Sequence, residues 1–120
     1  MTMKKKIAIT GDGSWATALA YVLTQNGHNV LWHIRTPEVY ESLSQKGFNS
    51  EYLRFTHFNS SKPEYTQSLS EAITRSDILL VAVPAAFIQE VFMDIPSEIL
   101  KGKLLVSARR WGDFDARDHV

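Results

Sequence analysis

The sequence contains no cysteine among its 120 residues. Disulfide bonds, thiolate zinc sites and thiol nucleophiles are therefore excluded. A chain that needs no disulfide fits the reducing cytoplasm, where we expect it. An excess of charge of one sign is also lacking, because 13 Lys and Arg residues balance 13 Asp and Glu residues. This balance argues against a protein that binds nucleic acid or an acidic membrane by bulk charge.

Long apolar runs are missing as well. The basic start is followed by the short run Ile7–Thr10 and then by glycine turn residues, whereas a signal peptide needs roughly 7–15 apolar residues and a membrane span roughly 20. The patterns G-x-x-x-x-G-K-[ST] and G-x-S-x-G are absent too. We therefore expect neither a P-loop nucleotidase nor an α/β-hydrolase. His28 and His57 stand apart from other ligand residues in the sequence, so no metal site is expected.

Strand and helix patterns alternate along the rest of the chain. Short continuous apolar runs predict buried strands, and helical spacing of apolar residues predicts helices between them. The predicted strands are Ile7–Ile9, Val30–Trp32, Ile78–Val83 and Leu104–Val106, and the predicted helices cover 14–26, 36–45, 68–75 and 87–95, with a loop over 48–62. This order indicates the α/β class, with a Rossmann-like parallel sheet and helices on both faces.

Local signals support the predicted helices. Thr36 and Pro37 are typical of a helix start, and Ser68 and Glu71 have the capping-box spacing. In the first helix, apolar residues recur at helical spacing and predict one apolar face, made of Trp15, Leu19, Val22 and Leu23.

The segment Gly11–Ala16 reads Gly-Asp-Gly-Ser-Trp-Ala and fits the pattern G-x-G-x-x-G/A between a predicted strand and a predicted helix. Gly11 allows the tight turn, Gly13 lets a pyrophosphate approach the backbone, and Ala16 lets the helix pack close to the sheet. The N–H groups at the helix start near Ser14 would face the phosphates. In this context the motif predicts dinucleotide binding rather than a glycine turn without a ligand.

The end of the second predicted strand lacks the acidic residue that binds the free 2′-hydroxyl of NAD. The sequence has His33, Ile34 and Arg35 there instead. A guanidinium matches phosphate geometry, so Arg35 is a candidate for the 2′-phosphate of NADP. The alternative is a solvated arginine at a strand end, and the expected cofactor is NADP or NAD.

The predicted loop carries four aromatic residues, which are Phe48, Tyr52, Phe55 and Phe58. One interpretation is that they cover a bound ligand. The other is that they pack the loop against its own domain.

Residues Gly11–Ala20, Gly-Asp-Gly-Ser-Trp-Ala-Thr-Ala-Leu-Ala, resemble the opening of the bacterial NAD(P)-dependent glycerol-3-phosphate dehydrogenases. Ketopantoate reductase and other β-hydroxyacid-type dehydrogenases share this amino-terminal fold, but as a rule they lack the Ser-Trp-x-Thr-Ala continuation. Further segments that resemble the same family are Asn26–Trp32, Asn49–Leu53, Val81–Pro84 and Val106–Ala108.

The resemblance covers Lys5 to about Ala108, and it implies cofactor contacts for Ser14, Trp15 and Arg35 in addition to the glycine motif. Full-length relatives reversibly reduce dihydroxyacetone phosphate to sn-glycerol 3-phosphate, which feeds phospholipid synthesis. We therefore expect a dinucleotide-binding domain over residues 1–108, with no catalytic residue of its own and no substrate domain.

Residues 109–120 break the pattern, since their charges alternate without period. Arg110 and Trp111 stand where the family has a lysine followed by glycine. We expect a disordered or non-native tail that arises from a reading-frame shift near the codon for Arg109, the alternative being a naturally short paralogue. We also expect the chain to lack dehydrogenase activity, and a stand-alone NAD(P)H-binding or regulatory module remains an alternative function.

Overall fold

The computed structural model describes residues 5–58 and 63–108. Strands and helices alternate within these ranges. The strands are β1 (Ile7–Thr10), β2 (Val30–His33), β3 (Glu64–Thr66), β4 (Ile78–Val81) and β5 (Leu104–Ser107). The helices are α1 (Ser14–Gln25), α2 (Pro37–Lys46), α3 (Leu69–Thr74) and α4 (Ala85–Phe92), and a short 3-10 helix covers Ser97–Leu100. The expected tail over 109–120 lies outside the described residues.

The five strands form one parallel sheet in the order β3-β2-β1-β4-β5. In the centre, Ile7 of β1 is in register with Val30 on one side and with Ile78 on the other. The chain moves outward from β1 to β3 and then returns to β4, so the strand order reverses between β1 and β4. Open α/β sheets bind their ligands at the carboxyl ends of the strands beside such a reversal.

Alternate strand residues enter two hydrophobic cores on opposite faces of the sheet, as the pleat requires. Ile9 and Trp32 belong to the core that also contains residues of α1 and α2. Ala8, Leu31 and Leu79 belong to the core that also contains residues of α3, and partly buried residues of α4 pack against it. All five side chains are buried. The prediction of a parallel sheet with helices on both faces is therefore confirmed.

The predicted apolar face of α1 is confirmed in part, since Leu19 and Leu23 pack against the core, but the fully buried residues are not the predicted ones. Its buried residues are the small ones, Ala16, Thr17 and Ala20. Leu19 is only partly buried at the edge of the core, and Val22 is 54% exposed. A helix that lies close over a sheet has room for small side chains beneath its axis, so the larger apolar residues move to the rim of the contact.

The helix starts agree with the prediction, with one difference in the hydrogen bonds. Ser68 Oγ accepts a bond from the Glu71 N–H at 3.1 Å, as the capping-box spacing predicts. Pro37 is the first residue of α2, and Thr36 precedes it. The Thr36 hydroxyl makes no cap bond to α2 and instead donates to Asp12 Oδ2 at 2.6 Å. The start of α2 is thereby tied to the loop that follows β1.

The two edges of the sheet differ from its centre. β3 was not predicted, and it has three residues that pair with β2. β5 lies at the other edge, where Leu104, Leu105 and Val106 are exposed.

None of the helices in ranges 5–58 and 63–108 has the length and hydrophobicity that a membrane crossing requires.

Candidate dinucleotide-binding site

The glycine-rich loop, residues 11–13, connects β1 to α1. It leaves the carboxyl end of β1, which pairs with β2 on one side and β4 on the other. The loop therefore lies at the point where the strand order reverses. Its predicted position after the first strand of a parallel sheet is confirmed.

Gly11 is required by the fold itself. Its φ is +135°, a conformation that residues with a side chain rarely adopt. A Cβ on Gly11 would lie 2.4 Å from the carbonyl oxygen of Ala82, just beyond β4, and 3.4 Å from the Cβ of Ala16. The backbone after β1 thus passes directly against the backbone after β4, and the small Ala16 side chain completes this close contact.

Gly13 presents the opposite case. Its φ is −86°, which any residue adopts. Within the part of the chain that the structure describes, no heavy atom beyond its chain neighbours lies within 4 Å of the position that a Cβ would occupy. The fold would accept a side chain at Gly13, so the open space beside it is available to a ligand.

The amino terminus of α1 lies next to this open space. Gly13 is the N-cap residue and has no side chain to bond the first-turn N–H groups. No acidic residue occupies the first turn of α1, whereas Glu38 and Glu71 do so in α2 and α3. The first N–H groups of a helix have no partner within it, and together they carry partial positive charge. This helix start therefore favours an anion from outside the chain.

The Trp15 side chain adds a second unsatisfied donor. Its Nε1 atom is buried, and among residues 5–58 and 63–108 nothing accepts a hydrogen bond from it. Buried indole N–H groups usually have a partner. The open position at Gly13 is consistent with a polar ligand at the start of α1, and Trp15, the second residue of that helix, has a buried donor without a partner among the described residues.

Three side chains hold the carbonyl groups of the glycine-rich loop from the protein side. They donate one hydrogen bond each: Trp32 Nε1 to Gly11 O at 2.6 Å, Asn49 Nδ2 to Asp12 O at 3.0 Å, and Thr17 Oγ1 to Gly13 O at 2.7 Å. None of these three side chains was predicted to have this role. Two of these bonds span 21 and 37 residues, so no local spacing reveals them.

Arg35 and His33 lie at the carboxyl end of β2. The half-exposed Arg35 side chain places Nη2 3.6 Å from Glu90 Oε1 of α4. A hydrogen bond of 2.7 Å joins His33 Nδ1 and Thr10 Oγ1. Burial lowers the pKa of His33 to about 4, the Arg35 charge acts in the same direction, and the Asp12 charge opposes it. His33 is thus neutral at pH 7, and Arg35 supplies the positive charge at the end of this strand.

Of the two interpretations of the aromatic residues in the loop after α2, packing against the domain is confirmed for Phe58. Phe58 is buried, and its ring meets that of Trp32 edge-on with the centroids 5.6 Å apart. It therefore packs the loop against its own domain. Tyr52 and Phe55 are exposed, with Phe55 at 97%, and they make no such packing contribution.

Across the two described ranges, no group of three or more His, Asp or Glu side chains is placed to hold a metal ion.

Residues 6–110 match the model of the NAD-dependent glycerol-3-phosphate dehydrogenase N-terminus. Glycerol-3-phosphate dehydrogenase [NAD(P)+] of Staphylococcus carnosus is 39% identical over 101 residues, which cover 84% of this chain and 30% of the relative. The enzyme of the same name from Staphylococcus epidermidis is 38% identical over 116 residues, which cover 97% of this chain and 35% of the relative. That alignment extends into residues 109–120.

The crystal structure of glycerol-3-phosphate dehydrogenase from Coxiella burnetii superimposes with a TM-score of 0.67 at 30% sequence identity. The superposition covers 74% of this chain and 27% of that one. The chain thus spans about a third of the length of the curated relatives that it matches. On these matches, together with the parallel sheet and the glycine-rich loop, the chain belongs to the NAD-dependent glycerol-3-phosphate dehydrogenase family and corresponds to its N-terminal part.

Proposed function

We propose that this chain binds a nicotinamide dinucleotide, NADP or NAD, at the glycine-rich loop. The single observation that carries the proposal is the open space at Gly13, where the fold would accept a side chain and the sequence has none. A pyrophosphate needs this space to reach the N–H groups of the loop and of the α1 start. When bound, the nicotinamide ring supplies hydride-transfer chemistry.

The residues assigned to the cofactor by sequence fit this role in different ways. Gly11 shapes the turn, and Ala16 allows α1 to approach the sheet. Ser14 begins α1 and offers a backbone N–H, while Trp15 offers a buried indole N–H. Ser14 and Trp15 thus offer hydrogen-bond donors at the start of α1. No acidic side chain occupies the first turn of this helix to repel a phosphate.

Gly13→Glu tests the site directly. The carboxylate would occupy the open space and repel the pyrophosphate, so binding of NADH and NADPH should be lost while the fold is kept. Gln25→Glu is the matched control, because Gln25 is exposed at the far end of the same helix. Both variants and the wild-type chain would be titrated by nucleotide fluorescence. Titration curves for Gly13→Glu that coincide with the wild type would refute the site.

We further propose that Arg35 binds the 2′-phosphate of NADP. Its guanidinium lies at the end of β2, where the ribose selector of this fold is placed, and Glu90 is its partner in the free chain. A charged hydrogen-bonded contact contributes about 1.5–3 kcal/mol, so Arg35→Ala should raise the Kd for NADPH by roughly 10- to 100-fold. The Kd for NADH should change much less.

The control for this experiment is Arg75→Ala, since Arg75 is bonded to Glu64 and Glu71 near the β3 edge. Glu90→Gln provides the converse test. Removing the carboxylate that competes for Arg35 should tighten NADPH binding and leave NADH binding nearly unchanged. Equal losses of both cofactors in Arg35→Ala would show that Arg35 has no part in selecting the phosphate.

We propose finally that the chain does not reduce dihydroxyacetone phosphate alone. Hydride transfer needs the substrate held beside the nicotinamide, with its carbonyl polarised. At the end of β2, His33 is buried, neutral and bonded to Thr10, so it is a poor proton donor at pH 7. Assays with NADPH and dihydroxyacetone phosphate should show no oxidation above background. Turnover that disappears in Gly13→Glu would contradict this proposal while supporting the binding site.

A further inference from the structure

We propose that Asn49 is a positioning residue for the dinucleotide: its amide orients the two loop peptides whose N–H groups receive the pyrophosphate. This inference rests on the proposed dinucleotide binding and adds the residue that prepares the site. Asn49 lies in the loop after α2, and it acts from behind the glycine-rich loop without touching the ligand.

The Asn49 side chain is held in a single orientation. It is 0% exposed, and its Oδ1 accepts bonds from the N–H groups of Glu51 at 2.8 Å and Tyr52 at 3.1 Å. Its Nδ2 donates to Asp12 O at 3.0 Å and to Thr17 Oγ1 at 2.9 Å. An amide has two donor hydrogens and two acceptor sites, and all four are engaged. A 180° rotation of the amide would break every one of these bonds.

Thr17 extends the reach of this amide to a second peptide. Because the Thr17 hydroxyl oxygen accepts from Asn49, its own hydrogen is directed to Gly13 O, 2.7 Å away. Asn49 therefore holds the carbonyl of Asp12 directly. Through Thr17 it adds a second bond to the carbonyl of Gly13, which also accepts the Thr17 N–H of the first turn of α1 at 3.0 Å. Consecutive peptides on either side of Gly13 are thus bonded to the same residue, one directly and one through Thr17.

Fixing these carbonyl groups also fixes the N–H groups. In a planar trans peptide, the C=O and N–H bonds point in opposite directions. The carbonyl of Asp12 shares a peptide with the N–H of Gly13, and the carbonyl of Gly13 shares one with the N–H of Ser14. Both N–H groups consequently point away from Asn49 and its relay, to the side on which the pyrophosphate is proposed to bind.

This arrangement lowers the cost of binding. A loop whose donors already point outward loses little conformational entropy when the ligand arrives. Asp12 is restrained at its other end as well, because its Oδ2 accepts bonds from Thr36 N at 3.0 Å and Thr36 Oγ1 at 2.6 Å. The loop is thus held at the side chain of Asp12 by Thr36 and at its carbonyl by Asn49.

Asn49→Asp separates the two halves of the amide. The carboxylate keeps acceptors for the N–H groups of Glu51 and Tyr52, but it loses the donated bonds to Asp12 O and to Thr17 Oγ1. We expect about a tenfold or greater rise in Kd for NADH and for NADPH, with their ratio unchanged, since the pyrophosphate is common to both. In the ligand-free chain, the NMR amide signals of Gly13 and Ser14 should shift.

Two further variants complete the design. Ser42→Ala is the matched control, because it removes the 2.6 Å bond from Ser42 Oγ to Phe48 O at the start of the same loop without touching the glycine motif. Thr17→Val removes the relay with little change of volume, and it decides the question if Asn49→Asp does not fold. Thr17→Val should weaken both cofactors, and adding it to Asn49→Asp should have less effect than it has in the wild type.

The outcomes are distinct. The inference would be overturned if Asn49→Asp folds and binds both dinucleotides with wild-type affinity. If Asn49→Asp does not fold, wild-type affinity of Thr17→Val would overturn it instead. The proposed function would stand in both cases. A lower melting temperature with unchanged affinity would also overturn it, because it would show a structural role alone. Failure of the wild-type chain to bind either dinucleotide would overturn the proposed function, and the inference with it.

Discussion

Protonation of His33 opposes folding, because the folded chain holds this imidazole in a buried position. Its pKa falls from the ordinary value of 6.5 to about 4 in the folded state. The difference between these two values corresponds to about 3 kcal/mol. Above pH 6.5 both states are neutral and the term vanishes. Below pH 6.5 His33 is protonated in the unfolded chain but stays neutral in the folded chain. The free energy of unfolding therefore decreases as the pH falls toward 4.

His33→Ala should remove this pH dependence. The variant also loses the bond to Thr10 and buried volume, so it should be less stable than the wild type at pH 7. The quantity to compare is therefore the change in the free energy of unfolding with pH, obtained from urea unfolding at intervals between pH 7 and pH 5. His57→Ala, which removes an exposed imidazole, serves as the control.

The pH window excludes the main competing groups. Hydrogen bonds from Arg75 and Lys6 lower the pKa of Glu64. Hydrogen bonds from Thr66 and Arg75 lower the pKa of Glu71. A carboxylate with a lowered pKa stabilises the fold above its unfolded pKa and loses this effect only at more acidic pH. A wild-type free energy of unfolding that stays constant from pH 6.5 to pH 5 would refute the reasoning about His33.

The loop makes further predictions about stability, each measured by urea unfolding. Gly11→Ala should destabilise the fold by about 2 kcal/mol or more, because positive φ is strained for alanine and its Cβ would collide with Ala82 O; wild-type stability would contradict this. Gly13→Ala should change stability by less than about 1 kcal/mol, since its Cβ position is open, and a large loss would show a hidden contact. Trp32→Phe should cost about 1–3 kcal/mol, because it leaves the Gly11 carbonyl without its indole donor; an unchanged unfolding midpoint would argue against that bond.

Much of the fold follows from continuous apolar runs. Strands β1, β2 and β4 lie within or beside apolar runs, and a buried parallel strand needs this composition on both faces. The apolar run of β5 also predicted a strand, but its side chains are exposed at the edge of the sheet. β3 has no such run. Its three residues follow Pro63, and their exposure falls from Glu64 to Thr66. The strand is defined by its pairing with β2, which no local pattern contains.

The fully buried residues of α1 were not predicted, for a related reason. Apolar periodicity emphasises large side chains such as Val22, whereas the close contact with the sheet selects Ala16 and Ala20. The close approach of α1 to the sheet depends on Gly11 and Ala16, since a Cβ on Gly11 would lie only 3.4 Å from the Cβ of Ala16. This tertiary contact decides which residues are buried, and the helical spacing alone does not contain it.

In the candidate site, too, some features are local in sequence and others depend on the tertiary fold. The glycine motif is local in sequence, and its position after β1 could be predicted from the strand and helix that flank it. The residues that hold its carbonyl groups, Trp32 and Asn49, come from other elements, so their bonds depend on the completed fold. The roles of Trp15 and Arg35 at a cofactor stay predictions that the binding experiments test.

The central position of β1 has a consequence for hydrogen exchange. β1 has a partner strand on each side, whereas in the described part of the chain β3 pairs with β2 alone and β5 with β4 alone. Amides in edge strands exchange through local opening, and central amides need larger unfolding. Opening of β5 leaves the supports of the glycine-rich loop intact, so such a species keeps its affinity for the dinucleotide. Saturating cofactor should therefore slow exchange in β1 and leave the exchange rate of β5 almost unchanged.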